Sequence, residues 1–191
     1  MNADDRKWDT RYRQAAEPSA PARVLVENVH LLPQDGTALD LACGLGANAL
    51  LLAERGLEVF AWDSSAVAIE KLQTRARACD LPVHTEVRDV VAHPPEHARF
   101  DVIVVSRFLD RRLTSHLMAA LRPGGLLFYQ TFTRIRVDAS GPSNQDYLLA
   151  DNELLSLFRP LQVLVYREEG RVGDLSHGFR GEAMLVARKV N

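Results

Sequence analysis

The stretch LDLACGLGANALLLAERGLEVFAWD, Leu39 to Asp63, decides the fold. A short apolar run (Ala38 to Ala42) meets a turn holding Gly44 and Gly46. NALLLAER then carries apolar residues at helical spacing and stops at Gly56, and EVFAWD is a second apolar run ending in a carboxylate. Strand, glycine turn, helix, strand and acid make the βαβ unit at which nucleotide-type cofactors bind. Two kinds of ligand fit so far: a dinucleotide with its pyrophosphate, or a carrier of positive charge.

The same rhythm continues outward. Ser64 or Ser65 can cap a helix through AVAIEKLQTRARA; HTEVRD (His84 to Asp89) reads as a third strand and FDVIVVSRF as a fourth. A helix through SHLMAAL stops at Pro123-Gly124-Gly125, and LLFYQTF is a fifth strand. A helix around NELLSLF and two strand-like runs, LQVLVYRE and EAMLVARK, follow a polar stretch. The segment between those runs is too short for a helical crossover, so they are expected to pair antiparallel. The predicted architecture is α/β: a Rossmann-like doubly wound sheet, mostly parallel, with an antiparallel C-terminal strand pair. Before the sheet, one helical segment carries Trp8 and Tyr12 on a shared face, a Pro/Ser linker follows, and ARVLVENVHLL is a second helical segment. One domain over residues 1–191 is the expectation, with 1–33 covering the cofactor site and 134–150 as a substrate-side insertion.

Glycine at 44 and 46 allows a tight turn and close approach of a ligand to backbone N–H groups. With Ala49 the turn also fits the G-x-G-x-x-G/A dinucleotide pattern, and Asp63 lies where a ribose-binding acid belongs. Asp40 argues for the other ligand. Placed beside the cleft, its carboxylate would repel a phosphate by roughly 4 kcal/mol at ~4 Å and near-surface dielectric. A ligand with an ammonium and a sulfonium gains from the same charge, and S-adenosylmethionine has both, with a ribose diol for Asp63.

DLACGLGAN, the VFAWD acid, VRD, FDVIVVS and LRPGGLLFYQTF, in this order, resemble the successive motifs of class I S-adenosylmethionine-dependent methyltransferases. W-D-x-R-Y (Trp8 to Tyr12), C-G-x-G-x-N and Y-L-L-x-x-N-E-L-L (Tyr147 to Leu155) resemble the tellurite-resistance and thiopurine methyltransferase-like group within them. Ala47 departs from that group's usual arginine, which removes a guanidinium an oxyanion substrate would use. The resemblance implies methyl transfer to a small-molecule acceptor by in-line displacement, leaving S-adenosylhomocysteine. It implies cofactor contacts at Asp40, Ala42, Gly44, Gly46, Asn48, Asp63 and Ser64. Asp89 and the Val90 backbone fall to adenine, the Ser106 backbone to the methionine end, and Trp8 and Tyr12 to a lid. Trp62 could flank adenine or be core. Arg107 and Phe108 end the fourth strand and could face the acceptor; Arg107 and His177, the latter in a Gly-rich loop, are the candidate catalytic groups. A catalytically silent donor-binding module and an NAD-dependent reductase stay open beside the methyltransferase.

Composition narrows the partners. The 191 residues carry 47% hydrophobic and 25% charged side chains and a formal net charge of −2, so no global basic footprint marks a nucleic-acid or membrane-surface binder. Two cysteines without paired spacing and a polar N-terminus point to a reduced, cytoplasmic setting. His93 and His97 are four apart, but Pro94 and Pro95 break the helix a metal pair needs, so no metal is expected. Cys43 reads as small and buried. No G-x-S-x-G elbow supports a serine hydrolase. The arginines of RFLDRR read as a solvated helix face.

Overall fold

The computed structural model describes residues 3–15 and 18–190. Helix α1 spans Ala3–Gln14 and α2 the four residues Arg23–Val26. The first crossover runs from β1 (Thr37–Leu41) through α3 (Ala47–Glu54) to β2 (Glu58–Asp63), and the second through α4 (Ala66–Ala78) to β3 (Val83–Val87). Then come β4 (Phe100–Ser106), α5 (Thr114–Ala120), β5 (Leu121–Phe132), α6 (Glu153–Leu157), β6 (Gln162–Arg167) and β7 (Glu182–Arg188).

The strands form one sheet ordered β3-β2-β1-β4-β5-β7-β6. β1 to β5 are parallel, and β7 runs antiparallel to both β5 and β6. The sequence expectation of a mostly parallel sheet closed by an antiparallel pair is met. The pair is also interleaved, for the last strand of the chain inserts between β5 and β6.

Central strands are apolar on both faces because both faces are covered. In β4, Phe100, Val102, Ile103, Val104 and Val105 are all fully buried. Odd and even positions feed different cores. Leu39, Leu41, Ile103, Val105 and Leu127 meet Leu117 of α5 and Leu154 of α6. Ala38, Val102, Val104 and Phe128 meet Leu25, Leu52 and Leu72 of α2, α3 and α4 on the other side.

Several elements differ from the sequence reading. The second N-terminal helical segment is α2 and a separate 3-10 turn at Val29–Leu31. β3 stops two residues before Asp89. As Pro94 and Pro95 imply, no helix joins β3 to β4, and the aromatic faces there are covered by guanidinium groups instead. Arg88 lies 3.9 Å above the Trp62 ring and Arg99 4.4 Å above Phe60. Of the RFLDRR arginines, Arg107 and Arg112 are exposed as expected, though not on an α-helix, and Arg111 is not a solvated one. Arg111 sits in a 3-10 turn and reaches across to residues 146–153. Its Nε and Nη2 donate to Glu153 at 2.6 and 2.9 Å, and its other donors take the carbonyls of Asp146 and Leu148. A planar fork with five donors suits that task. Arg111 therefore ties the segment before α6 to the carboxyl edge of the sheet.

Candidate cofactor site at the first crossover

β1 lies between β2 and β4, so the chain order reverses at β1/β4 and a crevice opens beyond their carboxyl ends. The turn from Ala42 to Gly46 forms its floor. Gly44 and Gly46 have φ of +53° and +80°, and Ala42, a residue with a Cβ, is also left-handed at +56°. Such backbone is sparsely populated by non-glycine residues and marks a position held by its surroundings. The Cys43 N–H donates to the Trp62 carbonyl and the Gly46 N–H to the Cys43 carbonyl.

Asp63 is the keystone of this turn. Its Oδ2 accepts the Gly44 N–H at 2.8 Å and its Oδ1 the Ser65 N–H at 2.9 Å, so one carboxylate joins the first crossover to the start of α4. Ser65 caps α4, its Oγ accepting the Ala68 N–H; of the two candidate serines it is Ser65 that caps, and Ser64 is left half-buried beside the crevice.

Asp40 lies elsewhere than the charge argument needs. It is fully buried beneath the turn, accepting the Ala49 N–H at 3.0 Å and the Asn48 amide at 3.5 Å. Burial pushes its carboxyl up to about 7, against two hydrogen bonds that favour the charged form. Near neutrality it carries only partial charge, so it repels a phosphate less than a fully ionised carboxylate in the same place would. The physical reason is the N-terminal turn of α3, whose N–H groups lack carbonyl partners within the helix and draw the acid inward.

That burial sets a pH dependence. The folded-state value of Asp40 lies above its ordinary 3.8, so the folded chain holds a proton that the unfolded chain has released. The stabilisation is complete below about pH 4 and is lost as pH rises through about 7. Asp40 alone is expected to remove about 2 kcal/mol of stability between pH 5.5 and 8. Urea unfolding of wild type against Asp40→Asn at both pH values checks this; parallel pH profiles contradict it.

Asn48 is a strut under the crevice. Its Oδ1 accepts the Ala22 N–H at 2.8 Å, and its amide donates to Ser106 Oγ at 2.9 Å as well as to Asp40. Gln130 plays the matching part on β5: its Oε1 accepts the Val24 N–H at 2.7 Å and its amide donates to Glu182. Helix α2 has no side-chain cap of its own, and these two buried amides satisfy N–H groups at its start. Residues 18–22 are thereby held at the carboxyl edge. The sequence reading missed Gln130, Glu182 and Arg111; a glutamine inside an apolar strand (LLFYQTF) was the available signal for the first.

The remaining sequence candidates divide. Arg107, at φ +54°, is half-exposed, with its Nη1 3.3 Å from Ser19 Oγ and its Nε 3.7 Å from Glu182. Phe108 is partly buried against the core. Asp89 lies past β3 on an exposed turn, where its Oδ1 accepts the Val91 and Ala92 N–H groups, the work of a local cap. Val90 and Trp62 are buried in the core under α5 and α6, so Trp62 packs as core. His177 is not brought to the turn: it is exposed in the β6–β7 loop, its Nδ1 between Asp174 and Ser176 at 2.8 and 2.9 Å. Cys43 is buried, and burial with Asp40 and Asp63 nearby pushes its thiol well above the ordinary range, which keeps it from acting as a thiolate. Trp8 stacks on Tyr12 at 5.8 Å, and Tyr12 lies directly on the glycine turn. Among the described residues no group of three or more His, Cys, Asp and Glu is placed to hold a metal, and no helix is long and apolar enough to cross a membrane.

Residues 38–125 match the methyltransferase-domain family. This segment holds β1 through the start of β5, including the crevice. A ubiquinone biosynthesis O-methyltransferase of Coxiella burnetii is 29% identical over 101 residues, covering 50% of this chain and 43% of that protein. A protein-L-isoaspartate O-methyltransferase of Methylorubrum extorquens is 35% identical over 104 residues, covering 54% and 45%. The chain thus spans less than half the length of these curated relatives. The crystal structure of TehB from Haemophilus influenzae superposes with a TM-score of 0.74 at 22% identity, over 95% of this chain and 67% of that one. Over the matched segment the chain resembles methyltransferase-domain proteins, and in fold it resembles TehB.

Proposed function

We propose that the protein is an S-adenosylmethionine-dependent methyltransferase acting on a small-molecule acceptor. The observation that carries the reading is the turn Ala42–Gly46 at the β1/β4 switch point, inside the methyltransferase-domain match, with Asp63 joined to Gly44. The turn's shape supports the fit: Gly44 and Gly46 are left-handed, which brings backbone rather than side chain to the crevice, and Tyr12 packs against Gly44 from α1.

When bound, S-adenosylmethionine supplies a sulfonium methyl already activated for in-line displacement. The chain's residues then have to bind and align. Asp63, held in place by two backbone N–H groups, is the carboxylate assigned to the ribose diol. The left-handed turn lets the main chain approach the methionyl end, with Ser64 at the side and Ser106 supporting Asn48 below. Asp89 and the Val90 backbone border the adenine end. Arg107, Phe108, the 18–22 strap and residues 134–150 form the acceptor wall. Alignment of two bound reactants can contribute about 7–11 kcal/mol, enough for a soft nucleophile without a general base.

Thermal unfolding with added ligand tests the assignment. S-adenosylhomocysteine at 100 times its dissociation constant should add about 2.7 kcal/mol of stability, and NADH none. Stabilisation by NADH alone would replace the methyltransferase with a reductase. Screening thiols, thiopurines and oxyanions for S-adenosylhomocysteine release then identifies the acceptor; binding without turnover of any would favour a silent donor-binding module.

A further inference from the structure

Two arginines near the carboxyl edge of the sheet are consumed by the chain itself. Arg111 gives its donors to Glu153 and two carbonyls, and Arg180 gives its own to the carbonyls of Glu169, Gly170, Asp174 and His177. Arg107 is held differently. It follows the last residue of β4, beside β1, whose end enters the glycine turn. Its N–H donates to the Gln130 carbonyl at 2.8 Å, and its φ of +54° is a conformation that residues with a Cβ rarely adopt. Ser106, just before it, accepts the Asn48 amide, which ties this corner to the start of α3. Strained backbone held at a switch point is a mark of a residue whose direction matters.

The Arg107 guanidinium is steadied without being satisfied. Its Nε lies 3.7 Å from Glu182, too far for a hydrogen bond, and its Nη1 lies 3.3 Å from the Ser19 hydroxyl. Glu182 is fixed in turn by the Gln130 amide, so the acid stays at the Nε edge. Nη2 makes no hydrogen bond with a described residue, and the side chain is 51% exposed. The Nη1–Nη2 end of a guanidinium presents parallel donors that match the two oxygens of a carboxylate.

We propose that the methyl acceptor carries a carboxylate and that Arg107 selects it, gripping that group at Nη1 and Nη2 while another atom of the acceptor receives the methyl. The inference rests on the methyltransferase reading above and gives its acceptor a chemical class. The nucleophile has to be a separate atom, because hydrogen bonds from a cation stabilise the electron pair that must attack.

Calorimetry on the chain saturated with S-adenosylhomocysteine can compare benzoate with benzamide, which has a similar shape and no charge. Benzoate is expected to bind about tenfold more tightly, as hydrogen bonds to a charged group allow, and Arg107→Gln should erase the difference. Arg107→Lys keeps the charge without the planar fork and should retain part of it. Arg107→Asn suits a left-handed backbone and serves if the glutamine variant fails to fold. Equal binding of the two probes, binding of neither, or a preference for benzoate that survives in Arg107→Gln overturns the proposal. If wild type binds no S-adenosylhomocysteine, the methyltransferase reading has failed and this inference falls with it. Binding of that product without charge selectivity removes this inference alone.

Discussion

Asp63→Asn is expected to weaken S-adenosylhomocysteine binding about 100-fold by calorimetry while the chain stays folded. A hydrogen bond to a charged acceptor contributes about 1.5–3 kcal/mol, and losing about 3 kcal/mol from a bidentate ribose contact corresponds to two decades of affinity. Asparagine is more informative than alanine. The Asp63 carboxylate already accepts the Gly44 and Ser65 N–H groups, so alanine would strand two buried donors and confuse binding with folding. Asparagine keeps one acceptor and turns an NH2 group toward the other donor, for which about 1–2 kcal/mol of stability should be lost. Urea unfolding separates the two effects. Affinity within threefold of wild type would remove Asp63 from the cofactor site.

Gly46→Ala should produce the largest loss of stability. Gly46 sits at φ +80° at the start of α3, and a Cβ there would meet the Leu72 side chain at 2.3 to 2.8 Å. Leu72 is fully buried in the core under α4 and cannot swing into solvent. Left-handed strain of roughly 1–2 kcal/mol and overpacking of 1–3 kcal/mol together give about 3 kcal/mol. Gly173→Ala is the control. Its φ is +75°, but nothing lies within 4 Å of the added Cβ, so only strain remains. Equal losses in the two variants would mean that α4 yields and that Gly46 is not a packing constraint.

Much of the fold was legible because both periodicities are strong here. Short, β-branched apolar runs such as FDVIVVS fit strands buried on both faces, and the turn chemistry between Leu41 and Ala47 identifies the crossover. Less legible was what depends on pairing across the sheet. That β7 would enter between β5 and β6 follows from no local signal. At the site, residue types were read better than their directions. Asp40 has the right spacing for a cleft acid, yet the unsatisfied N–H groups of α3 pull it under the turn. Asn48 reads as a cofactor contact, and its part as a brace for α2 is not foreseen in the sequence. Arg111 and Glu182 belong to long-range networks joining residues 42 and 75 positions apart, Arg111 with Glu153 and Glu182 with Arg107. No window of sequence contains such pairs.

The placement of β7 has a consequence for how the chain is made. β6 lies at the edge of the sheet, and its partner among the described strands is β7, which follows it in the chain. Until Glu182–Arg188 emerge, β5 and β6 face an open slot and neither ladder can form. Synthesis can finish the βαβ half with its glycine turn early, while the other half waits for residues 182–188. A nascent chain arrested short of residue 182 would carry a formed crevice beside an unclosed wall.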